Sequence, residues 1–314
     1  LVHPVNPNIV LAATDKGLYR SVNGGQNFTQ LFTDDCFDIK LRPGSPGVVY
    51  LLKDNPALIK CEFLTSNDTG ATFTVQTNGW YNSTDPARYD GGARLGVSPA
   101  DPQRVYAYLI GESKPNDVGF IGLYKSTDGG QTWTLPNGPD GGPYSAAHPN
   151  LAQGTTTWLY HQGFYNCALM VSNTNADSVI IGGLNTWRSN DGGVTFSSIS
   201  GYIGGPLGMH VDMQDFRATP TGYWLTCDGG IYFSNDFYVA NYAAKMDGVR
   251  GSDYWGFGQG WNEDVTTGGL YHNGNTVHHE NYSSGTNLQV GGGEPASGYI
   301  NPGKNRYMYS SDIG

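Results

Sequence analysis

Alternating apolar and polar residues recur in short runs along the whole chain, separated by glycine, proline, asparagine and aspartate. Such runs predict half-buried β-strands joined by tight turns. One stretch sets the measure. Residues 122–133 read as a strand through Leu123, Tyr124 and Lys125, a turn at Asp128, Gly129 and Gly130, and a strand resuming at Thr132 and Trp133. In such a turn the aspartate accepts backbone N–H bonds and the glycines supply positive φ angles. The pattern returns at Ser66, Asp68, Gly70 and Phe73, and again at Ser189, Asp191, Gly193 and Phe196. A further copy, from Ser21 to Phe28, carries Asn23 in the aspartate's place. Copies in phase describe a repeat protein.

The repeating unit is longer than its turn. It reads as strand A, a proline-rich turn, strand B, a short hairpin, strand C, the aspartate turn and strand D. In the first unit, residues 8–14 and 17–21 supply B and C, after a Pro/Asn turn at 3–7. The second comprises 37–41, 48–52, 61–66 and 73–76; the third has 93–97 and 105–109, with an enlarged hairpin at 111–120. The fourth, at 167–171 and 179–183, follows a long insertion at 136–165, and loops of that length usually have a purpose. The fifth spans 209–216, 223–227 and 231–234, with Asp228 in its hairpin and an aspartate turn reduced to Ser234, Asn235 and Asp236 without the glycine. In the sixth, 254–259 and 268–272 are kept, and Asn273, Gly274 and Asn275 replace the last turn. Residues 301–314 match 6–17 in phase, so a seventh unit begins and stops after strand B. Four antiparallel strands per unit make the blade of a β-propeller. The expected fold is therefore all-β: a β-propeller of about six blades plus part of a seventh, with residues 1–314 cut from a longer secreted protein that continues into further domains.

Composition narrows the function. Of 314 residues only 14% are charged, while 46 are glycine and 21 tyrosine, as suits turns and aromatic-rich strands. A formal charge of −10 argues against nucleic-acid phosphates as partner and fits solubility outside the cell. No apolar run approaches the ~20 residues of a membrane helix. Cys36, Cys61, Cys167 and Cys227 form an even set without CxxC, which predicts two disulfides in an oxidising compartment and no thiolate metal site. Neither a GxSxG elbow, an HExxH helix nor a phosphate-binding GxxxxGK[ST] loop is present.

The turns resemble the Asp-box, or BNR, repeat of sialidases, xyloglucanase-type glycoside hydrolases and sortilin ectodomains. The resemblance extends through His210 and Asp212, then Cys227 to Gly230, then residues 258–262 and 291–302, in the order seen in large secreted bacterial BNR-repeat proteins. The second histidine of the first motif is here Gln214 or Asp215. The resemblance implies a propeller whose aspartate turns lie on the outer rim, away from the ligand face. Asn23, Asp68, Asp128 and Asp191 would then hold turns, while Phe73, Trp133 and Phe196 pack between blades. It also implies a secreted or cell-surface protein, several relatives being exported by the type IX route. No cofactor is expected; the Asp/Gly clusters leave room for a structural Ca²⁺, without EF-hand-like spacing.

Candidate chemistry concentrates in the later units. His210 and Asp212, two apart on an expected strand, would share one face and could line a central channel. Gln259 and Trp261 share a face, and Asn262 starts the next loop; these groups suit sugar rings. Glycoside hydrolysis needs two carboxyl groups, ~5–5.5 Å apart for retention or ~6.5–9.5 Å for inversion. Asp212, Asp215, Glu263, Asp264 and Glu294 are the candidates. A sialidase is disfavoured, since no characteristic arginine motif stands near the start. His278, His279 and Glu280 read as a solvated strand end, because adjacent strand histidines point to opposite faces. The sequence leans toward a binding, scaffold or adhesin-like module for glycans or proteins, and away from an enzyme. The alternative is a polysaccharide-cleaving hydrolase of the xyloglucanase type. A third reading, a sortilin-like peptide receptor, predicts an apolar strip inside the channel.

Overall fold

The computed structural model describes residues 1–82, 90–111, 119–136, 151–154, 162–163, 165–248, 254–260, 264–270, 274–283, 286–291, 298–301 and 307–310. The turns of the sequence cut the chain into short antiparallel sheets, and among the described residues there is no helix. The chain divides into two compact units, Leu1–Met246 and Asp247–Gly314.

The first unit holds five sheets. The first runs β1 (Val10–Thr14), β2 (Gly17–Ser21) and β3 (Thr29–Gln30), with Val2 bridging to Val10 on the outside of β1. The second runs β4 (Cys36–Arg42), β5 (Ser45–Asn55), β6 (Lys60–Ser66) and β7 (Thr74–Gln76). The third is β8 (Asp90–Ser98), β9 (Asp101–Gly111) and β10 (Phe120–Ser126), where a bridge from Lys125 to Thr134 stands in for a fourth strand. The fourth is β11 (Ala168–Val171), β12 (Val179–Gly182), β13 (Thr186–Ser189) and β14 (Ser197–Ser200). The fifth is β15 (Met213–Thr219), β16 (Gly222–Cys227), β17 (Gly230–Ser234) and β18 (Ala243–Ala244). First strands of successive sheets adjoin: β4 beside β8, β8 beside β11, β11 beside β15. The second unit has a sheet of β19 (Tyr254–Gln259), β20 (Val265–Leu270), β21 (Gly274–His279) and β22 (Leu288–Gln289), and a pair, β23 (Gly298–Ile300) and β24 (Met308–Ser310). Val265, Val277 and Ile300 form its small core.

Apolar layers lie between neighbouring sheets of the first unit. Tyr50, Phe63, Trp80, Leu95 and Trp133 knit the second sheet to the third, and Tyr108, Phe120, Leu169, Ile181 and Trp187 knit the third to the fourth. Middle strands are thus covered on both faces, which is why 49–52, 105–110 and 179–181 read as unbroken apolar runs and lie within the core. Each such side chain contributes about 1.5–3 kcal/mol by leaving water.

The aspartate turns close one end of these sheets. Ser66 Oγ donates to Asp68 Oδ1 (2.7 Å) and accepts from Gly70 N (2.8 Å). Asp68 also accepts from Thr72 N (2.9 Å) and Thr72 Oγ1 (2.6 Å). Asp128 and Asp191 repeat the arrangement, and Asn23 holds its turn through Oδ1. With their oxygens taken by the turn, these carboxylates offer a poor calcium cage. Among the described residues no group of three or more His, Cys, Asp or Glu side chains could hold a metal ion. Gly130 has φ +88°, and a Cβ there would meet the Phe63 ring of the preceding sheet at 2.5 Å. Both the left-handed backbone and the close approach demand glycine.

Three expectations are corrected. The fifth turn is kept despite lacking glycine: Asp236 accepts from Val239, Ala240 and Asn241, and Tyr238 N donates to Ser234 Oγ. Phe237 and Tyr238 adopt φ +60° and +56°. Such angles cost a bulky residue about 1–2 kcal/mol each, offset here by burial, Phe237 against Tyr223 at 4.8 Å and Tyr238 through its hydroxyl to the Tyr232 carbonyl. In the second unit Gly274 and Asn275 open β21, the third strand of its sheet, rather than forming the turn after it. Finally, the four cysteines are free thiols, not disulfides. Cys36, Cys61, Cys167 and Cys227 each sit in a different hydrophobic cluster, so none has another to pair with. Burial pushes the Cys36 and Cys167 thiols up to about 12, which keeps them protonated and unreactive.

Candidate functional site

The opposite end of the sheets carries the β1–β2, β5–β6 and β16–β17 hairpins and the starts of β4 and β15. Here the structure departs from the expected strand at 209–216. β15 starts only at Met213, and Asp212 sits before it with φ +66°, so His210 and Asp212 do not share a strand face. The Asp212 amide instead donates to the Leu184 carbonyl (3.3 Å) and Met213 N to the Gly183 carbonyl (2.9 Å), tying the loop to the neighbouring sheet. His210 presses against the β16–β17 hairpin: a Cβ on Gly229 would collide with His210 Cβ, so only glycine fits there.

This loop assembles a polar cluster. Asp212, 3% exposed, accepts from Asn166 Nδ2 (2.8 Å). Asn166, wholly buried, also donates to Gln162 Oε1 (3.0 Å), and its Oδ1 accepts from Gln214 Nε2 (3.0 Å). Gln214 Nε2 donates onward to Asp228 Oδ1 in the hairpin (3.3 Å). Tyr165, half exposed, completes the group. Burial raises its phenol above the usual range, and the Asp228 and Asp212 charges add to this against the Gln214 amide. Gln162 and Tyr165 come from the end of the long insertion and Asn166 follows it; Trp187 and Asn185 anchor the insertion, Trp187 Nε1 donating to the Leu151 carbonyl (3.0 Å) and Asn185 Nδ2 to the Gln153 and Gly154 carbonyls (2.7 and 2.9 Å).

A second carboxyl group lies at the same end of the first two sheets. Burial raises the Asp35 carboxyl above its ordinary value, and the nearby Asp15 charge raises it further. Asp54, whose amide donates to the Asp35 carbonyl (2.8 Å), is likewise raised by burial. Lys53 Nζ bonds Asp34 Oδ2 (2.9 Å) and lies 3.6 Å from Glu62 Oε2.

Of the sequence candidates, the structure joins Asp212 to Gln214 and Asp228. Asp215 lies apart in an ion pair with Arg217 (2.8 Å). Gln259 ends β19, exposed, and Asp264 lies exposed just before β20. Trp261, Asn262, Glu263 and Glu294 fall outside the described residues. His278 and His279 end β21, each bonded through Nδ1 to its own following loop. Asn166 and Tyr165 were missed, and Asp228 was read as a turn residue only. The cue available in sequence was Gln214 in the second histidine's place, since a side-chain amide there needs partners.

Beside β4, β8, β11 and β15 runs a cleft of about 180 Å³, lined by Leu95, Val97, Leu169, Val171 and Phe216 together with Lys40 and Arg217.

Comparison with known proteins places the fold first. The GH74 xyloglucanase of Xanthomonas campestris superposes with a TM-score of 0.54 at 14% identity, over 100% of this chain and 50% of that one. A GH74 enzyme of Niastella koreensis gives 0.52 at 17%, over 99% and 50%. The chain therefore has an all-β, propeller-type fold. In sequence it is 29% identical over 227 residues to a xyloglucanase of Hypocrea jecorina (strain QM6a), covering 69% of this chain and 24% of that protein. No family model matches. The chain thus spans about a quarter of its curated relative and half of the solved structures. The xyloglucanase match favours the hydrolase alternative over the binding-module expectation and its lean away from an enzyme.

Proposed function

We propose that this chain is the propeller portion of an exported glycoside hydrolase that cleaves a xyloglucan-like polysaccharide, its sheets being six blades and the start of a seventh. The observation that carries this reading is the match to the xyloglucanase across more than two thirds of the chain. The hairpin end supports it, because it carries carboxyl groups in unlike settings. Asp35 is raised by burial beside Asp15, which suits a proton donor, while Asp228 faces an amide donor in a half-open hairpin. The turn aspartates at the other end are committed to backbone and cannot serve. The test is reducing-end release from xyloglucan by the protein containing this chain. Turnover is expected, falling about 10²–10⁴-fold in Asp35→Asn if that group is the acid. No release from xyloglucan or any other soluble β-glucan would end this reading.

A further inference from the structure

The polar cluster at the fifth sheet has a direction built into it. A carboxylate is acceptor-only, so Asp212 must face the Nδ2 of Asn166 rather than its Oδ1. That turns Asn166 Oδ1 toward Gln214, which must answer with Nε2. The same Nε2 has a second hydrogen, and it goes to Asp228. Each amide orientation is thus set by the one before it, and the chain starts at a buried carboxylate and ends at a half-exposed one. Asp212 is held on both sides of its Cα, by its left-handed backbone and by Asn166, at a place substrate does not reach. Asp228 sits in a hairpin open to solvent, beside the half-exposed Tyr165.

We infer that Asn166 and Gln214 form an amide relay through which Asp212 positions Asp228, and that Asp228 is the carboxylate contacting the sugar. This rests on the hydrolase reading for its substrate class. It reverses the roles that the sequence assigns, where Asp212 is the chemical candidate and Asp228 a turn residue. Asp212, Asn166 and Gln214 are positioning residues.

The experiment is steady-state hydrolysis of xyloglucan by the whole protein. Asp228→Asn should lower kcat about 10²–10⁴-fold with KM little changed, and Asp228→Glu should lose less. Asp212→Asn keeps shape but can present an NH₂ group, so Asn166 is free to flip; kcat should fall about 10²-fold through misplacement of Asp228. Gln214→Ala should do the same, and the double variant Asp212→Asn/Gln214→Ala no more than Gln214→Ala alone. Asp191→Asn, in a turn, should leave kcat unchanged. Full activity in Asp228→Asn, or losses that simply add in the double variant, would overturn the relay. If the wild type cleaves no β-glucan, the hydrolase reading fails by itself. The relay is then judged from the ¹⁵N-labelled side-chain amides: Asp212→Asn must shift the Gln214 NH₂ resonances, and an unmoved Gln214 signal refutes it.

Discussion

The two ends of the same sheets use their aspartates in opposite ways. At the turn end, Asp68, Asp128 and Asp191 accept only from residues two to four positions away, and each turn is complete in itself. At the hairpin end, Asp212 is held by Asn166, 46 residues earlier in the chain, and Asp228 by Gln214, 14 residues away. A local turn can repeat because its geometry travels with its sequence. A site drawn from three separate segments cannot, so it occurs where the repeat is interrupted. The difference separates what holds the sheets from what is left over to meet a ligand.

The largest effect should come from breaking the turn end's packing. Trp133 is 4% exposed, edge-on to Phe63 and Trp80 at 4.7 Å each. Trp133→Ala should cost about 3–5 kcal/mol in unfolding free energy, read from denaturant midpoints, because it empties the layer between the second and third sheets. Asn166→Ala comes next. It leaves Asp212 and Gln214 short of their buried partner, which costs about 1–3 kcal/mol. The comparison predicts that Trp133→Ala leaves kcat nearly intact in whatever fraction remains folded, while Asn166→Ala loses both stability and turnover. Equal loss of turnover in the two variants would dissolve the distinction between the ends.

The same distinction explains what was legible in the sequence. The turn strands, their alternation and the apolar runs of the middle strands are short-range consequences of residue type, and in the first four sheets strands formed where the pattern put them. At the fifth turn the absence of glycine does not signal a lost turn, because burial of Phe237 and Tyr238 carries the left-handed backbone instead. The cysteines misled because an even count says nothing of distance, and each thiol went into a separate apolar layer. His210 and Asp212 were placed on a strand by their alternation, although Asp212 leaves the strand to reach Asn166. No local pattern contains that partner. It follows directly after the insertion at 136–165, whose anchoring by Trp187 and Asn185 is likewise non-local.

The smallest expected effect is also the sharpest probe of the turn end, because the protein contains its own control. Hydrogen bonds from Thr72 and Ser66 hold the Asp68 carboxyl well below the usual carboxylate range. At Asp128, Asp191 and Asp236 a burial penalty opposes the turn's hydrogen bonds, and the bonds prevail, so these too are lowered. A depressed carboxyl binds fewer protons folded than unfolded. Its stabilisation is therefore present above the unfolded value near ~3.9 and lost as pH falls through the folded one. Asp35 and Asp54, raised by burial, have the opposite sign: they favour the fold most at low pH and lose that contribution as pH rises through their folded values. Denaturant midpoints should therefore fall steeply on acidification below about pH 4. The first turn has the same geometry without the charge, since Asn23 Oδ1 accepts from Ser21 Oγ (2.8 Å) and Asn27 N (3.0 Å). Asn23→Asp should accordingly steepen the acid limb, and Asp128→Asn flatten it by a similar amount, with little change at neutral pH beyond about 1 kcal/mol. If neither substitution moves the limb, the turns are held by shape alone and the charge at the other copies is incidental.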